Sequence, residues 1–155
     1  MKAYRQGRRD VMHKKFVLAA LFLLIPFTLC YGQSIKLQDY KAKNSDETAI
    51  IEKLNEYLEA VKAEDKEKVL SCCHESIQLM DWHGNYLTKK EMRNTNVSDW
   101  VFSKWYGFYD PKIKLDGNEA NVDLVLARSK AIIPITFQML RKNEKWLLLK
   151  QERHP

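Results

Sequence analysis

Residues 111–153, PKIKLDGNEANVDLVLARSKAIIPITFQMLRKNEKWLLLKQER, decide the fold. Branched aliphatic and aromatic residues dominate each run. The runs are interrupted by Asp116-Gly117-Asn118 and by Lys142-Asn143-Glu144-Lys145, both hairpin-like turn sequences. Together with the aromatic stretch WVFSKWYGFYD that begins at Trp100, they predict four strands. Pro134 offers no ladder donor, so its strand is expected to be an edge at that point or to carry a bulge.

Upstream the period changes. Ile50, Ile51, Leu54, Tyr57, Leu58 and Val61 recur at helical spacing with Glu and Lys between them, predicting an amphipathic helix over residues 47–62. Asn44 and Glu47 approximate a capping box at its start. Asp65 can cap a shorter helix that buries Val69, Leu70 and Cys73 and ends near His74. Ile77, Leu79 and Asp81 then alternate with Ser76, Gln78 and Met80, a strand closed by the His83-Gly84-Asn85 turn. Thr88 and Glu91 form a capping box for a third helix that fades around residues 94–98. Helices first and an antiparallel sheet after give the α+β pattern, in one domain over residues 46–155.

The N-terminus has a basic zone (MKAYRQGRRDVMHKK), an apolar zone (FVLAALFLLIPFTL) and a small-polar zone (CYGQS), the plan of a signal peptide over residues 1–32 cleaved after Gly32. Met12 is a second candidate start. This predicts a secreted or periplasmic protein, with membrane attachment only through an uncleaved segment. The apolar stretch is shorter than the roughly 20 residues of a spanning helix. Residues 33–45 lack periodicity and read as a mobile leader. Removing six basic residues and one acid leaves 20 basic against 19 acidic, with the signs interspersed. That balance offers no nucleic-acid footprint. Cys72 and Cys73 are adjacent and read as small buried side chains. His74, His83 and His154 lack metal-ligand spacing, and GxSxG, P-loop and GxGxxG motifs are absent, so neither metal nor cofactor is expected.

The order of YLEAVKAEDKEKVLSCCHESIQLMDWHGN, LTKKEM, DGNEANVDLVL and NEKWLLLK resembles the nuclear transport factor 2-like fold, which includes ketosteroid isomerases and SnoaL-like cyclases. The resemblance covers about residues 45–153. It implies a cone in which a curved sheet wraps the helices and leaves a pocket at one end. It also implies pairing of two copies through the outer sheet face. The spacing from Tyr57 to Asp81 is similar to that between the helix tyrosine and strand-end aspartate of the isomerases. There the aspartate removes a proton beside a carbonyl while the tyrosine and a second, protonated aspartate hold the enolate oxygen. The comparable stretch here, Thr136-Phe137-Gln138, has no second acid.

The candidate site residues each have a plainer reading. Asp81 is either a general base or the acceptor that closes its turn. Tyr57 is an oxyanion donor or a core aromatic, and His83 is a partner for Asp81 or an exposed turn residue. Trp82, Trp100 and Trp105 can line a pocket for a flat apolar ligand, or pack as core. Asp123, Thr136 and Gln138, polar at period two, can point into that pocket or to solvent. Three functions follow: a binder of a small apolar or amphipathic molecule, an isomerase-like, cyclase-like or dehydratase-like enzyme, or a dimerisation or partner-binding module whose hollow is filled by its own aromatics. The enzyme reading requires a raised Asp81 pKa.

Overall fold

The computed structural model describes residues 34–81, 83–100, 107–128 and 131–154. They lie in one compact unit, and the expected signal segment, residues 1–32, falls outside the described residues. Helix α1 (Ser45–Lys62) starts where the Asn44 side chain accepts the Glu47 N–H at 2.8 Å. The Glu47 carboxylate accepts the Lys43 N–H at 2.8 Å and the Tyr40 hydroxyl at 3.1 Å, so it closes the turn before the cap. Ile50, Leu54, Tyr57 and Val61 form a fully buried stripe. Each such side chain contributes about 1.5–3 kcal/mol, far more than the tenths that separate helix propensities, so packing holds the helix.

Helix α2 (Lys66–Cys72) is capped by Asp65, which accepts the Lys68 N–H at 3.0 Å. The chain enters strand β1 (Cys73–Met80) without a loop, so the helix ends two residues before His74. After β2 (Tyr86–Thr88), helix α3 (Lys89–Asn94) carries the full Thr88–Glu91 capping box. Residues Val97–Trp100 form the short helix α4, so Trp100, expected to open a strand, instead ends a helix.

Strands β3 (Gly107–Asp116), β4 (Glu119–Arg128), β5 (Ala131–Lys142) and β6 (Lys145–Arg153) complete an open six-stranded sheet of order β2-β1-β6-β5-β4-β3. All neighbours are antiparallel except β1 and β6, which run parallel. Asn143 and Glu144, with φ of 50° and 63°, make the two-residue loop between β5 and β6, while Gly117 supplies φ of 58° between β3 and β4. The β4–β5 register runs unbroken through Pro134, which pairs with Val125. Its carbonyl accepts the His154 N–H at 2.9 Å, so its missing donor faces the side where β6 ends. The proline therefore sits at a local edge, and the bulge lies elsewhere.

Residues 34–40, part of the expected mobile leader, instead pack on the domain. Leu37 is buried in a 3-10 turn (Leu37–Asp39), Lys36 bridges to Tyr109, and Asp110 exchanges two hydrogen bonds of 2.7 Å with Ile35. Asp110 has φ of 52° in a β3 bulge, which turns its N–H and carboxylate out of the ladder toward Ile35. In the first turn of α1, Asp46 accepts from Arg141 through both oxygens at 2.9 and 3.2 Å, and the Trp146 indole N–H adds a third bond at 3.3 Å.

Candidate functional site

Strand alternation assigns the two faces of the sheet. Val122, Leu124 and Leu126 of β4 and Ile135, Phe137 and Met139 of β5 face the helices and are buried. On β6, Trp146 and Leu148 face the same way, but the register slips between Gln138 and Met139. The extra residue, Leu149, reverses the alternation, so that Gln151 and Arg153 turn inward in place of Lys150 and Glu152. Two rows result: Val122–Phe137–Gln151–Leu79 and Leu124–Ile135–Arg153. Because β1 runs parallel to β6, Asp81 follows Leu79 as Arg153 follows Gln151, which sets the two charges on the same inner side, within electrostatic reach. Burial lowers the Arg153 pKa, and the charge of Asp81 works against that.

Gln151 is only 1% exposed, and its Oε1 accepts no hydrogen bond. Leaving such an acceptor unmet costs about 1–3 kcal/mol. Tyr57 packs edge-on against Phe137 at 5.7 Å, and Phe137 in turn against Phe108 at 5.5 Å. Burial, with smaller contributions from Cys73 and Cys72, pushes the Tyr57 phenol well up, so it stays protonated. The inner side thus has an aromatic floor from α1 and β5 and a polar end made by Asp81, Gln151 and Arg153.

Asp81 itself closes the turn. Its Oδ1 accepts the N–H of His83 at 2.9 Å and of Asn85 at 2.8 Å, and Oδ2 accepts the Asn85 side chain at 3.3 Å. Burial raises its pKa, but these donors outweigh burial and the net shift is downward. This is the reverse of the raised value that a general base needs. His83 meets Asp81 through its backbone and is itself exposed.

Asp123, Thr136 and Gln138 do not line the inner side. Thr136 and Gln138 flank Phe137 on β5, and alternation sends them to the outer face. There the Thr136 hydroxyl donates to Asp123 at 2.7 Å and meets His154 Nε2 at 2.8 Å. Trp100 is buried on α4, and its Nε1 has no hydrogen-bond partner. Trp82 and Trp105 lie outside the described residues. A cleft of about 100 Å³ opens between α1, the N-terminal segment and β3, lined by Leu37, Asn55, Leu58, Glu59, Lys62 and Phe108 among others. That volume admits a few waters and falls well short of the roughly 300 Å³ of a drug-sized site. Cys72 and Cys73 are buried free thiols, pushed by burial to about 11 and about 12. Among the described residues no cluster of three or more His, Cys, Asp or Glu is placed to hold a metal ion, and no helix is long and apolar enough to cross a membrane.

Gln151 and Arg153 are the residues that sequence reasoning missed. Plain alternation from Trp146 and Leu148 would have sent both outward. The signal was Leu147-Leu148-Leu149, three consecutive leucines that break the period where the bulge falls.

Helices packed on one face of a curved, open, mixed sheet match the nuclear transport factor 2-like fold. No family model and no curated protein matches the chain. Solved structures do. A nuclear transport factor 2-like protein from Cytophaga hutchinsonii aligns with a TM-score of 0.56 at 12% identity, covering 71% of this chain and 97% of its own. One of unknown function from Pseudomonas putida aligns at 0.57 and 11%, covering 70% and 84%. A protein of unknown function with a cystatin-like fold from Nostoc punctiforme aligns at 0.58 and 17%, covering 74% and 93%. At these identities the likeness is one of fold.

Proposed function

We propose that this chain is a non-catalytic pocket protein that binds a small apolar or amphipathic molecule on the inner side of its sheet. One observation carries the reading: a bulge in β6 turns Gln151 and Arg153 into a face that is otherwise apolar, beside Asp81. Turning polar groups inward costs stability, and folds keep such costs where they are used. Tyr57, Phe108 and Phe137 pack edge to face behind these groups, and the polar end fixes the orientation of a bound molecule. Binding is favoured over proton abstraction because Asp81 is committed to its turn and its acidity is increased. We also infer export through residues 1–32, which N-terminal sequencing of the secreted or periplasmic fraction tests by a start at Gln33.

A thermal-shift screen of the full chain against flat apolar and amphipathic metabolites tests the binding. A ligand at a hundred times its Kd adds about 2.7 kcal/mol of stability. The expected result is a stabilising compound whose effect survives Tyr57→Phe and Asp81→Asn. A panel without effect, or stabilisation abolished by both changes in folded protein, contradicts the reading.

A further inference from the structure

A second hollow, of about 200 Å³, opens between α2 and α3 and is lined by Glu67, Leu70, Ser71, Lys89 and Arg93. It shares no residue with the inner side described above. The two helices run in opposite directions there. Lys66, at the start of α2, donates to the carbonyls of Arg93 and Thr95 at 3.1 and 3.2 Å, while Lys89, at the start of α3, donates to that of Cys73 at 2.8 Å. Glu67, Leu70 and Ser71, at helical spacing on α2, make one wall, and Lys89 and Arg93, one turn apart on α3, make the other. The antiparallel pairing sets Glu67 toward Arg93 and Ser71 toward Lys89.

Both walls keep polar capacity unspent. Arg93 stands 3.6 Å from Glu75, beyond hydrogen-bond reach, so the donors of its guanidinium are free to meet a ligand. Lys89 is buried and gives two of its N–H groups to the Cys73 carbonyl and to Glu75, the second at 2.7 Å, which fixes its charge in place with one N–H left. Among the described residues the Glu67 carboxylate has no ion pair, although a guanidinium lines the same hollow. Ser71 donates to the Lys68 carbonyl at 2.7 Å, which leaves its oxygen able to accept. The charges balance, with Lys89 and Arg93 against Glu67 and Glu75. An anion drawn to Arg93 meets Glu67, and a cation drawn to Glu67 meets Arg93. A molecule bearing both signs satisfies both walls at once. The volume equals that of about seven waters, well below a drug-sized site and close to that of an amino acid.

We propose that the hollow between α2 and α3 binds a zwitterion of amino-acid size. Its carboxylate is held by Arg93 and the remaining N–H of Lys89, and its ammonium by Glu67 and the Ser71 oxygen.

L-2-aminobutyrate, 4-aminobutyrate, butyrate and butylamine share one carbon chain and differ in charge. Titration of the full chain with each, followed by amide NMR, is expected to give saturable shifts at residues 67–71 and 89–93. At least one of the amino acids is expected to bind about fivefold or more tightly than butyrate and butylamine, the upper range for an added exposed ion pair. Glu67→Gln and Arg93→Gln alter exposed side chains, so both are expected to leave Tm unmoved and to remove that advantage, with butyrate binding undiminished in Glu67→Gln. Butyrate or butylamine binding as tightly as the amino acids overturns the zwitterion and leaves a site for a single charge. Shifts that centre elsewhere, that survive both substitutions, or that do not appear overturn the site itself. Each of these outcomes leaves the binding reading for the inner side untouched.

Discussion

Asp81→Ala removes one side chain that accepts three hydrogen bonds, and its cost can be worked from the geometry. Two donors are backbone N–H groups, of His83 at 2.9 Å and Asn85 at 2.8 Å, and the third is the Asn85 amide at 3.3 Å. A bond to a charged acceptor contributes about 1.5–3 kcal/mol net when its loss strands the donor. His83, Gly84 and Asn85 are exposed, so water replaces much of what is lost. The total is about 2 kcal/mol, a fall in Tm of about 6–10 °C for a domain of this size. Asp81→Asn keeps one neutral acceptor and is expected to lose about half as much. The pH dependence has a definite sign. Because the folded carboxyl has a lowered pKa, its contribution is complete above the unfolded value of about 4 and is lost as pH falls through the folded value. Melts followed by circular dichroism from neutral to strongly acidic pH are expected to show the wild type and Asp81→Asn converging in acid. An Asp81→Asn protein more stable than wild type at neutral pH would refute this reasoning, since it is what a destabilised catalytic carboxylate gives.

Other expectations follow from single contacts. Glu144 occupies a left-handed position, φ 63°, in the β5–β6 loop, so Glu144→Gly is expected to raise stability by about 0.5–1 kcal/mol in urea titrations. Asp46→Ala frees Arg141 and the Trp146 indole and is expected to cost about 1 kcal/mol; in a double-mutant cycle with Arg141→Ala the losses are less than additive. Cys72 and Cys73, with thiols near 11 and 12, are expected to resist alkylation in the native state at mildly alkaline pH and to react once urea unfolds the chain, as read by peptide mapping. Native labelling at either position contradicts their burial.

The fold was legible because local and global signals agree. The stripe from Ile50 to Val61, the caps at Asn44, Asp65 and Thr88, and the two hairpin turns each mark an element that the structure contains. The leader was misjudged because Leu37 alone gives no period, and its partner, a left-handed Asp110 before a proline, is a tertiary feature without local signature. The site was less legible. Asp81 and Tyr57 both reach the inner side, yet whether an aspartate works as a base depends on the donors around it, which only the closed turn reveals. Thr136 and Gln138 faced the wrong way because the face of a strand is fixed by its neighbours, here Phe137 against Tyr57. Gln151 and Arg153 were hidden by one inserted residue, since a bulge reverses every later side chain on its strand.

Amide and side-chain NMR shifts, followed during titration with a compound that stabilises the chain in the thermal-shift screen, report directly where a ligand lodges. The largest changes are expected on the Gln151 side-chain amide, the Arg153 guanidinium and Leu79, with Asp123 and Gln138 on the outer face unmoved. Changes centred on the outer face, or on Asn55 and Lys62 in the cleft beside α1, would contradict binding on the inner side.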